Sequence, residues 1–178
     1  SIVGVLIWQK RLMYVKVNLL NIVKTLTIRC TQNKNLQHPR LFFMTLEHVA
    51  IWTNQLETLK EYYVKYFQGK SNDKYINNSK DFNSYFLSFA SGARLELMSM
   101  PVIPANQNDT IQKQHLGIIH LAFGVDTLQE VEEKARQLQA DGFPILSGPR
   151  KTGDGYYEFE TLDPDNNRIE VTTVYPLT

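Results

Sequence analysis

The 178-residue chain has a single cysteine, Cys30, so no disulfide can form within it and its stability must come from packing. That usage fits a reducing compartment, and the cytosol is the expected location. Acidic residues are missing altogether from residues 1–43, which hold seven of the 19 Lys and Arg and none of the 18 Asp and Glu. Apolar runs long enough to cross a bilayer are missing too. Lys10, Arg11, Lys16 and Lys24 interrupt the leader well short of the roughly 20 residues a spanning helix needs. In "SIVGVLIWQKRLMYVKV" the apolar stretch precedes the charge, the reverse of a secretory signal. Residues 1–43 are therefore expected to be a non-native or disordered basic leader, with the native protein starting at Met44 and residues 44–178 forming one domain. From Met44 onward 12 cations face 18 anions, and a body of that sign repels nucleic-acid phosphates. Neither a nucleic acid nor a membrane is an expected partner.

What the chain does have is a duplication. "HVAIWTNQLETLKEYY" at His48 is echoed by "HLAFGVDTLQEVEEKA" at His120. Each copy reads as a β-rich run, an Asn or Asp (Asn54, Asp126) suited to cap a helix, and an amphipathic helix. The second helix, about 126–140, keeps Leu128, Val131, Ala135 and Leu138 on one face, and "ADGF" supplies a glycine stop. The first uses Leu56, Leu59, Tyr63, Tyr66 and Phe67 and ends near Gly69. Two hairpin-like segments follow, "SYFLSFASGARLELMSM" and "YYEFETLDPDNNRIEVTTV", whose ends match as "GARLELM" against "NNRIEVT". Each half thus predicts strand, helix, then two or three strands, with loop-like stretches at 68–82 and 141–156. The fold class is α+β: two βαβββ modules, about 45–100 and 117–175, forming a curved, mostly antiparallel sheet cup with helices on the outer face.

Strand alternation places Val49 and Ile51 opposite His48 and Ala50, and Leu95 and Leu97 opposite Glu96; Leu121 and Phe123 oppose His120, and Ile169 and Val171 oppose Glu170. Helices packed on the aliphatic face leave two His and two Glu on the other. These are ligand types for one divalent ion, Zn, Ni or Co, with Fe and Mn also compatible. A lone strand histidine is more often structural, but recurrence at equivalent points of both halves favours a metal site. His115 and His38 are read as loop and leader residues, and Tyr156, Tyr157, Phe86 and Phe89 as ordinary strand residues.

These four residues, together with "HLAFGVD", "SGPRKTGDG" and "LDPDNNRIEV", resemble the vicinal oxygen chelate superfamily and, within it, glyoxalase I (lactoylglutathione lyase) and its small bacterial relatives. The resemblance covers about residues 45–174. It implies a lyase or isomerase acting on a small carbonyl or hemithioacetal. His48, Glu96, His120 and Glu170 would be the metal ligands, Glu170 the principal base, and Glu96 its partner. It also implies substrate contacts at Lys151, with Arg150 beside it, and a homodimer. Trp52 and Met100 occupy substrate-binding positions where glyoxalase I carries an Arg and an Asn that contact glutathione. The alternatives are another metal-dependent reaction of the superfamily (thiol transfer, epimerisation or dioxygen chemistry) and a non-catalytic binder of small molecules such as antibiotics.

Overall fold

The computed structural model describes residues 44–176; the expectations for the leader, including Cys30 and His38, fall outside them. From Thr45 onward the chain forms one compact unit. Its first half runs β1 (His48–Trp52), α1 (Leu56–Phe67), β2 (Lys70–Ser71), β3 (Tyr75–Asn77), β4 (Phe82–Ser88) and β5 (Arg94–Ser99). The second runs β6 (His120–Gly124), α2 (Leu128–Ala140), β7 (Ile145–Lys151), β8 (Tyr156–Leu162) and β9 (Arg168–Val174). The strands form two sheets, ordered β1-β5-β4-β2 with β3 also on β4, and β6-β9-β8-β7. Among the described residues β1 runs parallel to β5 and β6 parallel to β9, and the other pairings are antiparallel. The fold is α+β, as the duplication predicts.

Both helices start one or two residues later than their expected caps. Thr127 caps α2: its hydroxyl accepts from the Glu130 amide, and the Glu130 carboxylate accepts from the Thr127 amide. This reciprocal box satisfies backbone donors that Asp126 does not reach. The N-cap of α1 is Gln55, which makes no side-chain cap bond. Its amide group instead donates to the Pro164 carbonyl and to Asp165 Oδ1 in the second half. At the other end, Gln68 takes the left-handed conformation (φ 53) and closes α1. Gly69 follows in a tight spot: a Cβ there would stand 3.3 Å from both Phe89 Cε1 and the Tyr63 carbonyl oxygen, so a side chain would need those neighbours to give by a few tenths of an ångström.

One core serves both halves, and it includes Leu59, Tyr63, Leu87, Leu97, Val131, Leu138 and Ile169. Fully burying an aliphatic or aromatic side chain of this size contributes about 1.5–3 kcal/mol. Helix α1 lies between its own sheet and the second half. Its Phe67 ring centroid is 4.4 Å from that of Phe123, and Tyr62 is 4.9 Å from Phe143. Polar bonds fix the same seam, with Tyr66 donating to Asp141 Oδ2 at 2.6 Å and Lys134 to the Tyr66 carbonyl at 2.6 Å. Because the helix-side faces of both sheets are spent on this shared core, the opposite faces are turned away from it. Among the described residues no helix is long and apolar enough to cross a membrane.

Candidate active site

The two open faces follow from strand register. In the first half His48 pairs with Arg94, Ala50 with Glu96 and Trp52 with Met98 across β1 and β5. In the second His120 pairs with Arg168, Ala122 with Glu170 and Gly124 with Thr172 across β6 and β9. Paired residues share a face, so each half presents a His–Arg row and, two residues along, a row holding Glu. The duplicated strands have the same register.

Side-chain geometry repeats as well. His48 Nε2 lies 3.7 Å from Glu96 Oε2, and His120 Nε2 lies 3.7 Å from Glu170 Oε2. The histidines are 39% and 36% exposed and the glutamates 15% and 13%, so each half holds a half-buried imidazole above a nearly buried carboxylate. A separation of 3.7 Å is too long for a hydrogen bond. Two donors about 2.1 Å from a shared ion at a near-tetrahedral angle stand about 3.4 Å apart, so each pair suits two adjacent ligand positions. Glu47 accepts from Nδ1 of His48, which leaves Nε2 free as a donor atom and orients the ring. Among the described residues no group of three or more His, Cys, Asp or Glu is arranged to hold a metal ion. The structure therefore brings His48 to Glu96 and His120 to Glu170, but it does not bring the two pairs together within one chain.

The surroundings of the two pairs differ. Phe86 is opposite Glu96 on β4, with its ring edge-on to His48 at 5.4 Å and the Arg94 guanidinium 4.1 Å above it. Arg94 is held by Glu47. In the second half Glu160 replaces Phe86 opposite Glu170. Arg168 donates to Glu160 at 2.8 Å and to the carbonyls of Thr110 and Ile111 in the connector between the halves. Burial pushes the Glu170 carboxyl above the usual glutamate range; Glu158 and Glu160 push it the same way, against His120 and Arg150. A carboxylate raised in this manner is a better proton acceptor than an ordinary glutamate.

Of the expected substrate contacts, Arg150 lies across from Glu158, with its Nη2 3.3 Å from Glu158 Oε1, on the same face as Glu170. A register shift in β7 sets that position. Gly148 sits in the shifted stretch at φ 82, where a Cβ would stand 2.4 Å from the Glu158 carbonyl oxygen. Lys151 pairs across from Tyr157, whose hydroxyl donates to Glu132 of α2, and its ammonium lies over the Tyr175 ring at 4.1 Å. The structure thus places Lys151 on the helix side of the sheet, away from Glu170. Trp52 is on the open face of the first half, and Met100 follows just beyond β5. His115 lies in the connector beside the Leu116 carbonyl.

The sequence gives no assignment for Tyr75 or the Glu160–Arg168 pair, and Phe86 is read from it as an ordinary strand residue. In "FNSYFLS" both alternating sets contain aromatic rings, so alternation gives no signal for Phe86. For Glu160 a signal existed: it sits in step with Glu158 in "YYEFETL", on the face opposite Phe159.

A profile of the Glyoxalase/Bleomycin resistance protein/Dioxygenase superfamily matches residues 45–171. The chain belongs to this superfamily. No curated protein matches its sequence. Solved structures agree with the fold. A glyoxalase family protein from Enterococcus faecalis is 24% identical, covering 75% of this chain and 100% of its own, with a TM-score of 0.60. The trypanothione-dependent glyoxalase I of Leishmania major is 20% identical, covering 75% and 87%, with a TM-score of 0.57. A glyoxylase/bleomycin resistance protein/dioxygenase domain from Frankia sp. EAN1pec is 14% identical, covering 75% and 99%, with a TM-score of 0.61. At these identities the likeness is one of fold. The superfamily name itself spans glyoxalases, resistance proteins and dioxygenases.

Proposed function

We propose that the protein is a metal-dependent enzyme of the glyoxalase I type, acting on a small carbonyl or hemithioacetal by proton transfer next to the carbonyl. The observation that carries this reading is the repeated His–Glu geometry, 3.7 Å in both halves on equivalent register positions. Two donors alone hold a divalent ion weakly, and a set of two His and two Glu suits Zn, Ni or Co. Since the pairs lie apart within one chain, the cup is completed between two copies, with His48 and Glu96 of one meeting His120 and Glu170 of the other. β1 and β6 each end the strand order of their sheet, so the strands carrying the histidines are edges available to a partner. A two-fold dimer built this way holds two identical cups.

When bound, the ion would act as a Lewis acid on vicinal substrate oxygens and stabilise the negative charge that develops there. Glu170 takes the proton from the substrate carbon and returns it to the neighbouring carbon. Glu96 holds the opposite side of the cup. Arg150, on the Glu170 face, binds negative charge on the substrate, while Phe86 keeps water from the floor beneath His48. Thiol transfer, epimerisation and dioxygen chemistry could use the same ligand set, and substrate turnover separates them.

The test is elemental analysis of the full chain after incubation with Ni, Co or Zn, beside His120→Ala and Glu170→Ala, followed by assay of methylglyoxal with several thiols. About one ion per chain, lost in both variants, with isomerase turnover, is the expected result. No metal uptake by the parent would sink the reading and leave a non-catalytic binder in its place.

A further inference from the structure

The two halves keep the same His, Arg and Glu positions but diverge completely in the next row. Two residues beyond the Glu row, roughly 7 Å along the strands, the second half presents Gly124, Thr172, Glu158 and Arg150 from β6, β9, β8 and β7. The equivalent row of the first half is Trp52, Met98, Ser84 and Tyr75 from β1, β5, β4 and β3. One row carries an ion pair. The other carries two aromatic rings and a thioether and no charged side chain.

Phe82, two residues before Ser84 on β4, joins the aromatic pair from below. Its ring is 5.9 Å from Trp52 at 84° and 6.0 Å from Tyr75 at 61°. Edge-to-face packing of this kind fixes Trp52 and Tyr75 on either side of Phe82. Both remain open, Trp52 at 40% and Tyr75 at 53% exposure, whereas Ser84 between them is buried. The result is an exposed aromatic shelf, Trp52 and Tyr75 with Phe82 between them, on the face that carries His48 and Glu96. Apolar rings held open in this way favour a planar apolar guest, and a carboxylate placed here would lose its hydration with no cation in the row to replace it.

We propose that this shelf is the specificity subsite of the cup, and that it takes an aryl or similarly planar apolar substituent of a substrate whose vicinal oxygens lie at the His–Glu cluster. The proposal rests on the metal-dependent reading above and adds the substrate class to it. Selection works by exclusion as well as by fit: a conjugate presenting a carboxylate to the Trp52 row is disfavoured, while the Arg150 side of the cup admits polar groups.

The test uses a matched pair of probes that differ only in the substituent. Benzohydroxamate and acetohydroxamate both offer two vicinal oxygens to a metal. The nickel-loaded full chain is expected to bind the first about tenfold more tightly. Trp52→Ala and Tyr75→Ala are each expected to cut that ratio to about threefold or less while retaining nickel. Equal affinities in the parent, or an unchanged ratio in both variants, overturn the proposal. A second arm needs no metal: benzyl alcohol titrated into the metal-free chain is expected to shift the Trp52 indole N–H resonance saturably, the signal being assigned by its loss in Trp52→Phe. Nickel uptake without this shift, and with no preference for the aryl probe, removes the shelf but keeps the metal site. A saturable shift without nickel uptake upholds the shelf and removes the metal-dependent reading.

Discussion

Tyr63 of α1 donates its hydroxyl to Oδ2 of Asp163, in the turn between β8 and β9, at 2.9 Å, and the two residues are 0% and 2% exposed. The same carboxylate accepts from the Asp165 and Asn167 amides and from the Asn167 side chain, so one acid both shapes its own turn and ties the two halves together. Tyr63→Phe removes one buried donor and should lower stability by about 1–3 kcal/mol. Urea denaturation with an unchanged slope is the check, and equal midpoints for the two proteins would refute it.

Burial pushes Asp163 above the ordinary aspartate range despite the bonds that oppose the shift. Its folded pKa therefore exceeds its unfolded one. The contribution is fully present below the unfolded value and is lost as pH rises through the folded value. Relative to Asp163→Asn, the parent should be favoured most in acid and progressively less toward neutrality. Paired urea titrations at about pH 4 and about pH 7 read the difference, and an advantage that grows with pH would contradict the assignment.

A cup shared between copies predicts complementation. A chain carrying His48→Ala with Glu96→Ala and one carrying His120→Ala with Glu170→Ala should each bind essentially no metal. Refolded together in equal amounts, they should recover about a quarter of the parental metal, because half of the dimers are mixed and each mixed dimer holds one intact cup. A cup closed within one chain would recover none.

Arg168 holds the connector through the Thr110 and Ile111 carbonyls and neutralises Glu160 beside Glu170. Arg168→Ala leaves that nearly buried carboxylate unpaired and should cost about 3–5 kcal/mol. It should also speed proteolysis within the connector. Thermal unfolding and limited digestion test the two effects separately.

The parts of the fold that were legible were those written twice. His48, Ala50 and Glu96 could be matched to His120, Ala122 and Glu170 by alternation alone, because each sheet buries one face and a one-residue slip would expose its aliphatics. The caps were misplaced because Asn54 and Asp126 have the right chemistry, and only backbone geometry shows that Gln55 and Thr127 occupy the capping position. Strands β2 and β3 are too short to have a readable period, so the stretch 68–82 reads as a loop and nothing in it singles out Tyr75. The separation of the His–Glu pairs was not legible at all, since it depends on α1 packing Phe67 against Phe123 rather than on any local pattern. Whether the halves face each other or stand back to back is a matter of tertiary packing.

The shared core closes within a single chain, so folding is unimolecular, whereas assembly of the proposed two-chain cup would be bimolecular. Dilution should then empty the cups by mass action while circular dichroism still reports a fully folded protein. On the proposed two-chain cup, specific activity would become a reading of protein concentration, and a cell could set catalytic output steeply through the amount of chain it makes, with no ligand or modification needed to switch it.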